Sequence, residues 1–166
     1  MGEPWFALRA VEDDDRPAVG VFARAHWAST TMVSSGRVYD LTQLDGFLAE
    51  EGGRWLGLVT YAIEAKRCQV VSLDSTAPGQ GVGSALLAAV EAVARDRQSP
   101  YVWLITTNDN RHALDFYQHR GYRLVAVHRG AVDRARLLKP EIPRVGEGGI
   151  AIRDELELAK NLSDRP

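Results

Sequence analysis

Apolar residues along this chain switch between two periods, and the switches divide it into strands and helices. Residues 5–11 mix aromatic and branched side chains as a strand does. They run into Asp13-Asp14-Asp15, whose carboxylates suit the positive end of a helix with Pro17 in its first turn. Val19, Phe22, Ala23, His26 and Trp27 follow at helical spacing, and the small, polar stretch 29–36 reads as a loop near a substrate. Residues 47–49 and 55–63 read as strands joined through Glu51-Gly52-Gly53-Arg54, with 69–73 as a third, so three sequential strands are expected to pair antiparallel. Leu86, Leu87, Val90, Val93 and Ala94 share one face of an Ala-rich stretch, which predicts a helix over 82–97. The apolar run 101–105 then reads as a strand covered on both faces. A helix over 110–120 follows, with Gly121 at its left-handed cap, then a strand over 122–127 and a short helix over 131–138 stopped by Pro140 and Pro143. Residues 150–158 alternate as an edge strand does, which hints at a homodimer through that edge. The expected fold is α/β (α+β), a mixed and mostly antiparallel sheet flanked by helices.

Composition narrows the function more than the fold. With 166 residues, 45% of them hydrophobic and 25% charged, the chain suits one domain spanning 1–166 around one core. A net charge of -2, both signs interspersed, argues against bulk attraction to nucleic acid. The run Arg129, Arg134, Arg136, Lys139 and Arg144 is broken by Asp133, Glu141 and Glu147 and reads as a solvated helix and loop. The lone Cys68 excludes an internal disulfide and reads as a small buried residue, which fits a reducing compartment. His26, His112, His119 and His128 lack second ligands at metal spacing, so no metal is expected. No segment is long and apolar enough to cross a bilayer, and a cytoplasmic protein without membrane partners is the expectation.

The candidate chemistry lies in Pro78-Gly79-Gln80-Gly81-Val82-Gly83-Ser84, between a predicted strand and a predicted helix. Unpaired amides and the positive end of the helix dipole converge there, and glycine lets an anion reach the backbone, so Gln80, Gly81, Val82, Gly83 and Ser84 form a candidate diphosphate cradle. A tight turn with close helix packing would use the same glycines. No Lys-Ser/Thr pair follows as a P-loop needs, and the phase of G-x-G-x-x-G fails because Ser84 and Leu86 fall at the third positions.

The turn resembles the acetyl-CoA signature of the GNAT acetyltransferase superfamily, Arg/Gln-x-x-Gly-x-Gly/Ala, followed by a Leu-rich helix; Pro78 stands where the leading Arg or Gln belongs. Asn110-Arg111-His112-Ala113-Leu114-Asp115-Phe116-Tyr117 with Gly121-Tyr122 resembles the same family's Asn-x-x-Ala-x-x-x-Tyr helix and the Gly-aromatic start of its next strand. The resemblance implies acetyl-CoA as acyl donor, with Gln80 to Ser84 on the pyrophosphate and Leu73 and Asn110 on the pantetheine arm. It also implies Tyr117 as general acid on the leaving thiolate, although a buried aromatic would fit the same place. His26, Trp27, Arg37 and Tyr39 fall in the segment that faces an acceptor.

The activity implied is direct N-acetyl transfer to a primary amine of a small molecule or protein. Many members of the family carry a Glu near the start of the fourth strand as base. The corresponding stretch here, Cys68-Gln69-Val70-Val71, holds no carboxylate, which leaves Glu64, Asp74 and a water relay as alternatives. A non-catalytic acyl-CoA sensor is the alternative reading of such a chain.

Overall fold

The computed structural model describes residues 3–163. In chain order these form β1 (Ala7–Ala10), α1 (Arg16–Trp27), β2 (Thr31–Ser34), β3 (Arg37–Asp40), β4 (Asp45–Glu51), β5 (Arg54–Glu64), β6 (Arg67–Ser75), α2 (Val82–Asp96), β7 (Tyr101–Thr107), α3 (Arg111–Gln118), β8 (Arg123–His128), α4 (Ala131–Leu138) and β9 (Glu155–Asn161). Seven strands make one sheet in the order β1-β4-β5-β6-β7-β9-β8, and β2 and β3 form a separate hairpin. Every pairing in the large sheet is antiparallel except β6 with β7. The mixed, mostly antiparallel sheet flanked by helices is the architecture the hydrophobic pattern predicts.

Two expectations are corrected. The segment 29–36 is a loop only in part: Thr31–Ser34 pairs with Arg37–Asp40 through a turn in which Ser35 and Gly36 both have positive φ. Its polar composition hid a strand because the hairpin lies on the sheet's surface. The last strand, expected at an edge, lies between β7 and β8, with Leu104 opposite Leu158 on one side and Leu124 opposite Leu158 on the other. It also starts later than expected, at Glu155 rather than at residue 150, so only part of the alternating stretch is strand, and the dimer expectation loses the edge it rested on.

Strand parity assigns the two faces. Val59 of β5, with Cys68, Val70, Val102, Leu104 and Leu158, joins Leu86, Leu87, Val90 and Ala94 of α2 in the main core. Leu58, next along β5, packs with Val19 and Leu48 on the opposite face, under α1. The hairpin covers that second face through Tyr39, which clusters with Ala23, Leu41 and Val71. Gln69 ties hairpin to sheet: Tyr39 Oη donates to its Oε1 at 2.8 Å, and its Nε2 donates to Ser34 Oγ at 2.9 Å. Burying each large aliphatic side chain stabilises the fold by about 2 kcal/mol, so α2 is held mainly by its apolar face.

One buried charge is fully engaged. Glu91 on α2 accepts from Lys160 Nζ at 3.0 and 3.1 Å and from Tyr122 Oη at 3.1 Å. Lys160→Met is therefore expected to lower stability by about 3 kcal/mol in urea unfolding, because it strands a carboxylate inside the protein. Arg95, 3.8 Å from Glu91, is too distant to replace the lost pair.

Candidate active site

The parallel ladder of β6 and β7 is short. It runs from Cys68 opposite Val102 to Val70 opposite Leu104, although β6 continues to Ser75 and β7 to Thr107. A register shift opposite Thr60 and Tyr61 leaves Val71 as an extra residue in β6, and bulges of this kind bend a strand. Beyond Val70 the strands part, and the β7-facing edge of β6 is left without a partner strand.

A cleft of about 820 Å³ opens at this parting. β6 contributes Leu73, Asp74 and Ser75, the turn and α2 contribute Gly81, Val82, Gly83 and Ser84, α3 and its flanks contribute Asn110, Phe116, Tyr117 and Arg120, and α1 contributes Trp27. At the α2 end, Gly81 is the N-cap with φ 83° and brings no capping side chain. The first helical bond runs from Ala85 N–H to Gly81 C=O at 3.0 Å, so the amides of Val82, Gly83 and Ser84 precede any intrahelical acceptor. These three residues line the cleft at the positive end of a 15-residue helix, where an anion is favoured.

The two glycines serve different ends. Gly81 needs its left-handed backbone, whereas a Cβ on Gly83 would stand 3.2 Å from Cε2 and Cζ of Phe116. Gly83 thus lets α3 settle against the start of α2. Phe116 in turn carries Arg120, whose guanidinium lies 3.5 Å from the ring centroid and donates to Ser84 Oγ at 2.9 and 2.6 Å. The sequence reading missed Arg120. Its signal was its place two residues after the helix, where a cation returns to the α2 turn, and it supplies a positive charge beside the amides although Pro78 cannot.

Other sequence candidates distribute unevenly. Leu73, Gly81, Val82, Gly83, Ser84, Asn110, Tyr117 and Trp27 line the cleft, while Gln80 is exposed outside its lining. Asn110 caps α3 by accepting Ala113 N–H at 3.0 Å through Oδ1, which leaves its side-chain NH₂ out of the cap. His26 stacks on Phe22 at 4.0 Å between ring centroids and lies near Asp74. Arg37 is an exposed partner of Glu64, and Tyr39 is buried against Gln69, so neither lines the cleft. The cations of the last third serve structure: Arg136 donates to the carbonyls of Ile142, Pro143 and Ile152, and Lys139 to that of Thr31 at 2.6 Å. A separate hollow of about 300 Å³ lies between the hairpin turn and α4; there Glu155 accepts Ser35 N–H at 3.1 Å, and burial raises its pKa.

Electrostatics single out three groups. Burial pushes the Cys68 thiol up to about 12, which makes it a poor nucleophile. Burial also raises Tyr117, to which Asp74 adds and from which Arg120 subtracts, so the phenol stays protonated. Asp74 is pushed up to about 6 by burial, with His26 and Trp27 pulling it partly back.

A mixed sheet that parts beside an uncapped helix start, with a tyrosine in the gap, is the architecture of the acyl-CoA-dependent acyltransferases. The chain belongs to the acetyltransferase (GNAT) family, whose model matches residues 9–122. It is 46% identical over 145 residues to the uncharacterized protein YxbD of Bacillus subtilis (strain 168), covering 87% of this chain and 91% of that one. Among solved structures it is similar to an IAA acetyltransferase from Bacillus cereus ATCC 14579, with a TM-score of 0.70, 16% identity and coverage of 94% and 99% of the two chains. A GNAT family acetyltransferase from Elizabethkingia anophelis with acetyl-CoA bound has a TM-score of 0.67, 16% identity and coverage of 96% and 99%. At these identities the likeness to the solved structures is one of fold. Among the described residues no helix is long and apolar enough to cross a membrane.

Proposed function

We propose that this protein is an N-acetyltransferase that moves the acetyl group of acetyl-CoA directly to a primary amine of a small molecule or protein. The observation that carries this reading is the continuity of one cleft from the uncapped α2 start to the gap between β6 and β7, with Tyr117 inside it. The cleft fits the donor chemically. The amides of Val82, Gly83 and Ser84, with Arg120 beside them, match a diphosphate, and the unpaired edge of β6 at Leu73 matches the amide-bearing pantetheine arm. Asn110 offers its free NH₂ to the same arm.

Acetyl-CoA supplies an activated thioester. The residues of this chain orient it and manage protons: a free N–H of β6 polarises the carbonyl, and the Tyr117 hydroxyl donates to the sulfur as the carbon–sulfur bond breaks. Direct transfer is favoured over an acyl-cysteine route because Cys68 is fully buried with a raised pKa. Calorimetry with acetyl-CoA is expected to show saturable binding, and a primary-amine panel is expected to release free thiol in stoichiometric step with acetylated product. Saturable binding with no thiol release from any amine would favour a sensor; no binding would remove the cleft assignment.

A further inference from the structure

We propose that Asp74 is the general base of this cleft and that the acceptor is a cationic amine, docking its ammonium group on the Asp74 carboxylate before transfer. The inference rests on the acetyl-transfer reading and adds to it the base and the acceptor's charge.

Position comes first. Asp74 lies opposite Leu58 in the β5–β6 ladder, and Leu58 packs under α1, so Asp74 sits on the α1 face of the sheet. It is beyond Val70, where β6 and β7 have already parted, and it lines the same cleft as Trp27 and Tyr117.

Elimination comes second. Glu64 is paired with Arg37 on the surface, and Asp115, the other acid lining the cleft, is 73% exposed in a pair with His119. Asp74 is half-buried and, among the described residues, has no lysine or arginine partner. The groups acting on it are His26 and Trp27 from α1, the latter through a side-chain hydrogen bond, and Tyr117 from α3, while β5 presents apolar Leu58. A carboxylate held in a cleft without a lysine or arginine partner is a place that an ammonium ion completes. Its pKa of about 6 leaves it ionised at neutral pH and more basic than a free carboxylate.

The step balances as follows. The Asp74 carboxylate takes one proton from R–NH₃⁺. The freed nitrogen lone pair forms the carbon–nitrogen bond, the carbon–sulfur bond breaks, and Tyr117 O–H protonates the departing sulfur. The nitrogen loses its second proton to water, water reprotonates Tyr117, and Asp74 discharges its proton, so one proton is released per ammonium acetylated. The order has an electrostatic advantage: the Asp74 carboxylate raises the Tyr117 pKa, and protonating it lifts that repulsion as the phenol is needed.

Asp74→Asn tests the proposal with n-butylamine, cationic at neutral pH, and hydroxylamine, which is largely neutral there, as probe acceptors. With n-butylamine, kcat/KM is expected to fall about 100-fold, and the wild-type loss of activity below a pH of about 6 is expected to vanish. With hydroxylamine the loss is expected to be several-fold at most. Equal losses with both acceptors, or none with n-butylamine, would overturn the assignment.

Two measurements do not depend on turnover. Carboxyl-¹³C aspartate spectra of the ligand-free protein, differenced against Asp74→Asn, are expected to show a titration near 6, whereas an ordinary carboxylate value would overturn the proposal. A folded-state pKa above the unfolded one means that Asp74 costs stability as pH rises through about 6, so Asp74→Asn is expected to match or exceed the wild-type Tm at pH 8. A lower Tm at that pH would mark a structural role and overturn the assignment. Acetyl-CoA calorimetry on the wild type separates the two levels: absent binding fails the cleft reading, while intact binding with unaltered n-butylamine transfer fails Asp74 alone.

Discussion

Tyr117→Phe is expected to lower turnover by about 100-fold while leaving acetyl-CoA affinity within about twofold. Its neighbours explain why this tyrosine differs from the others in the core. Tyr39 Oη is committed to Gln69 and Tyr122 Oη to Glu91, whereas the Tyr117 hydroxyl has no such side-chain partner among the described residues and its residue lines the cleft. Its ring is wedged edge-on against Phe116 and Tyr122, at 5.1 and 5.5 Å between centroids, so phenylalanine keeps the packing. Because only an uncommitted hydroxyl is removed, the Tm is expected to hold, and a clear fall would point to a structural role. Turnover equal to the wild type would dismiss the proton donation. Single-turnover measurement is the right readout, since slow product release would mask a change in the chemical step.

Gly83→Val is expected to weaken acetyl-CoA binding at least tenfold in calorimetry. The added Cβ alone meets Phe116 at 3.2 Å, and two further methyl groups must displace that ring. Phe116 is the shelf on which Arg120 rests, and Arg120 is the cation tied to Ser84 at the head of α2. One substitution therefore disturbs the amide cradle and its flanking charge together. Binding within twofold of the wild type would remove the diphosphate role from this turn. Gly81→Ala makes an informative comparison: its Cβ meets open space, and the substitution acts only through the strain of φ at 83°, costing about 1 kcal/mol of stability.

Much of this molecule is legible in one dimension, for physical reasons that can be named. The α2 helix is readable because its apolar residues recur on one face against one continuous core, and the predicted 82–97 departs from Val82–Asp96 by a single residue. The α4 helix over Ala131–Leu138 is readable because Pro140 and Pro143 end it. The hairpin Thr31–Ser34 was not, because half its surface faces water and its pairing depends on a turn whose conformation polar composition does not reveal. The last strand was recognised only over 155–158 and was assigned the wrong neighbours, since alternation reports two unlike faces and is silent about which strands flank them.

The cleft follows the same division. Gly81 and Gly83, which line the cleft, were legible because a glycine-rich turn before a helix is a property of adjacent residues, and Tyr117 was legible through the resemblance of its helix to the family motif. Asp74 did not stand out beside Glu64, because what distinguishes it is burial without a lysine or arginine partner, a relation to α1 and α3 far away in the chain. Arg120 likewise gains meaning only when α3 lies across α2 and the guanidinium meets Ser84, 36 positions earlier.

By itself, then, the amino-acid sequence determined most of the succession of strands and helices and the glycine-rich start of α2, which rest on short-range periodicity and local dihedral demands, and the family, which rests on two short motifs in order. Tertiary structure alone decided where β6 leaves β7, which acid is stranded in the resulting gap, and which arginine stands over the amides. Those are matters of distance and solvent exclusion between segments whose order along the chain carries no record of them.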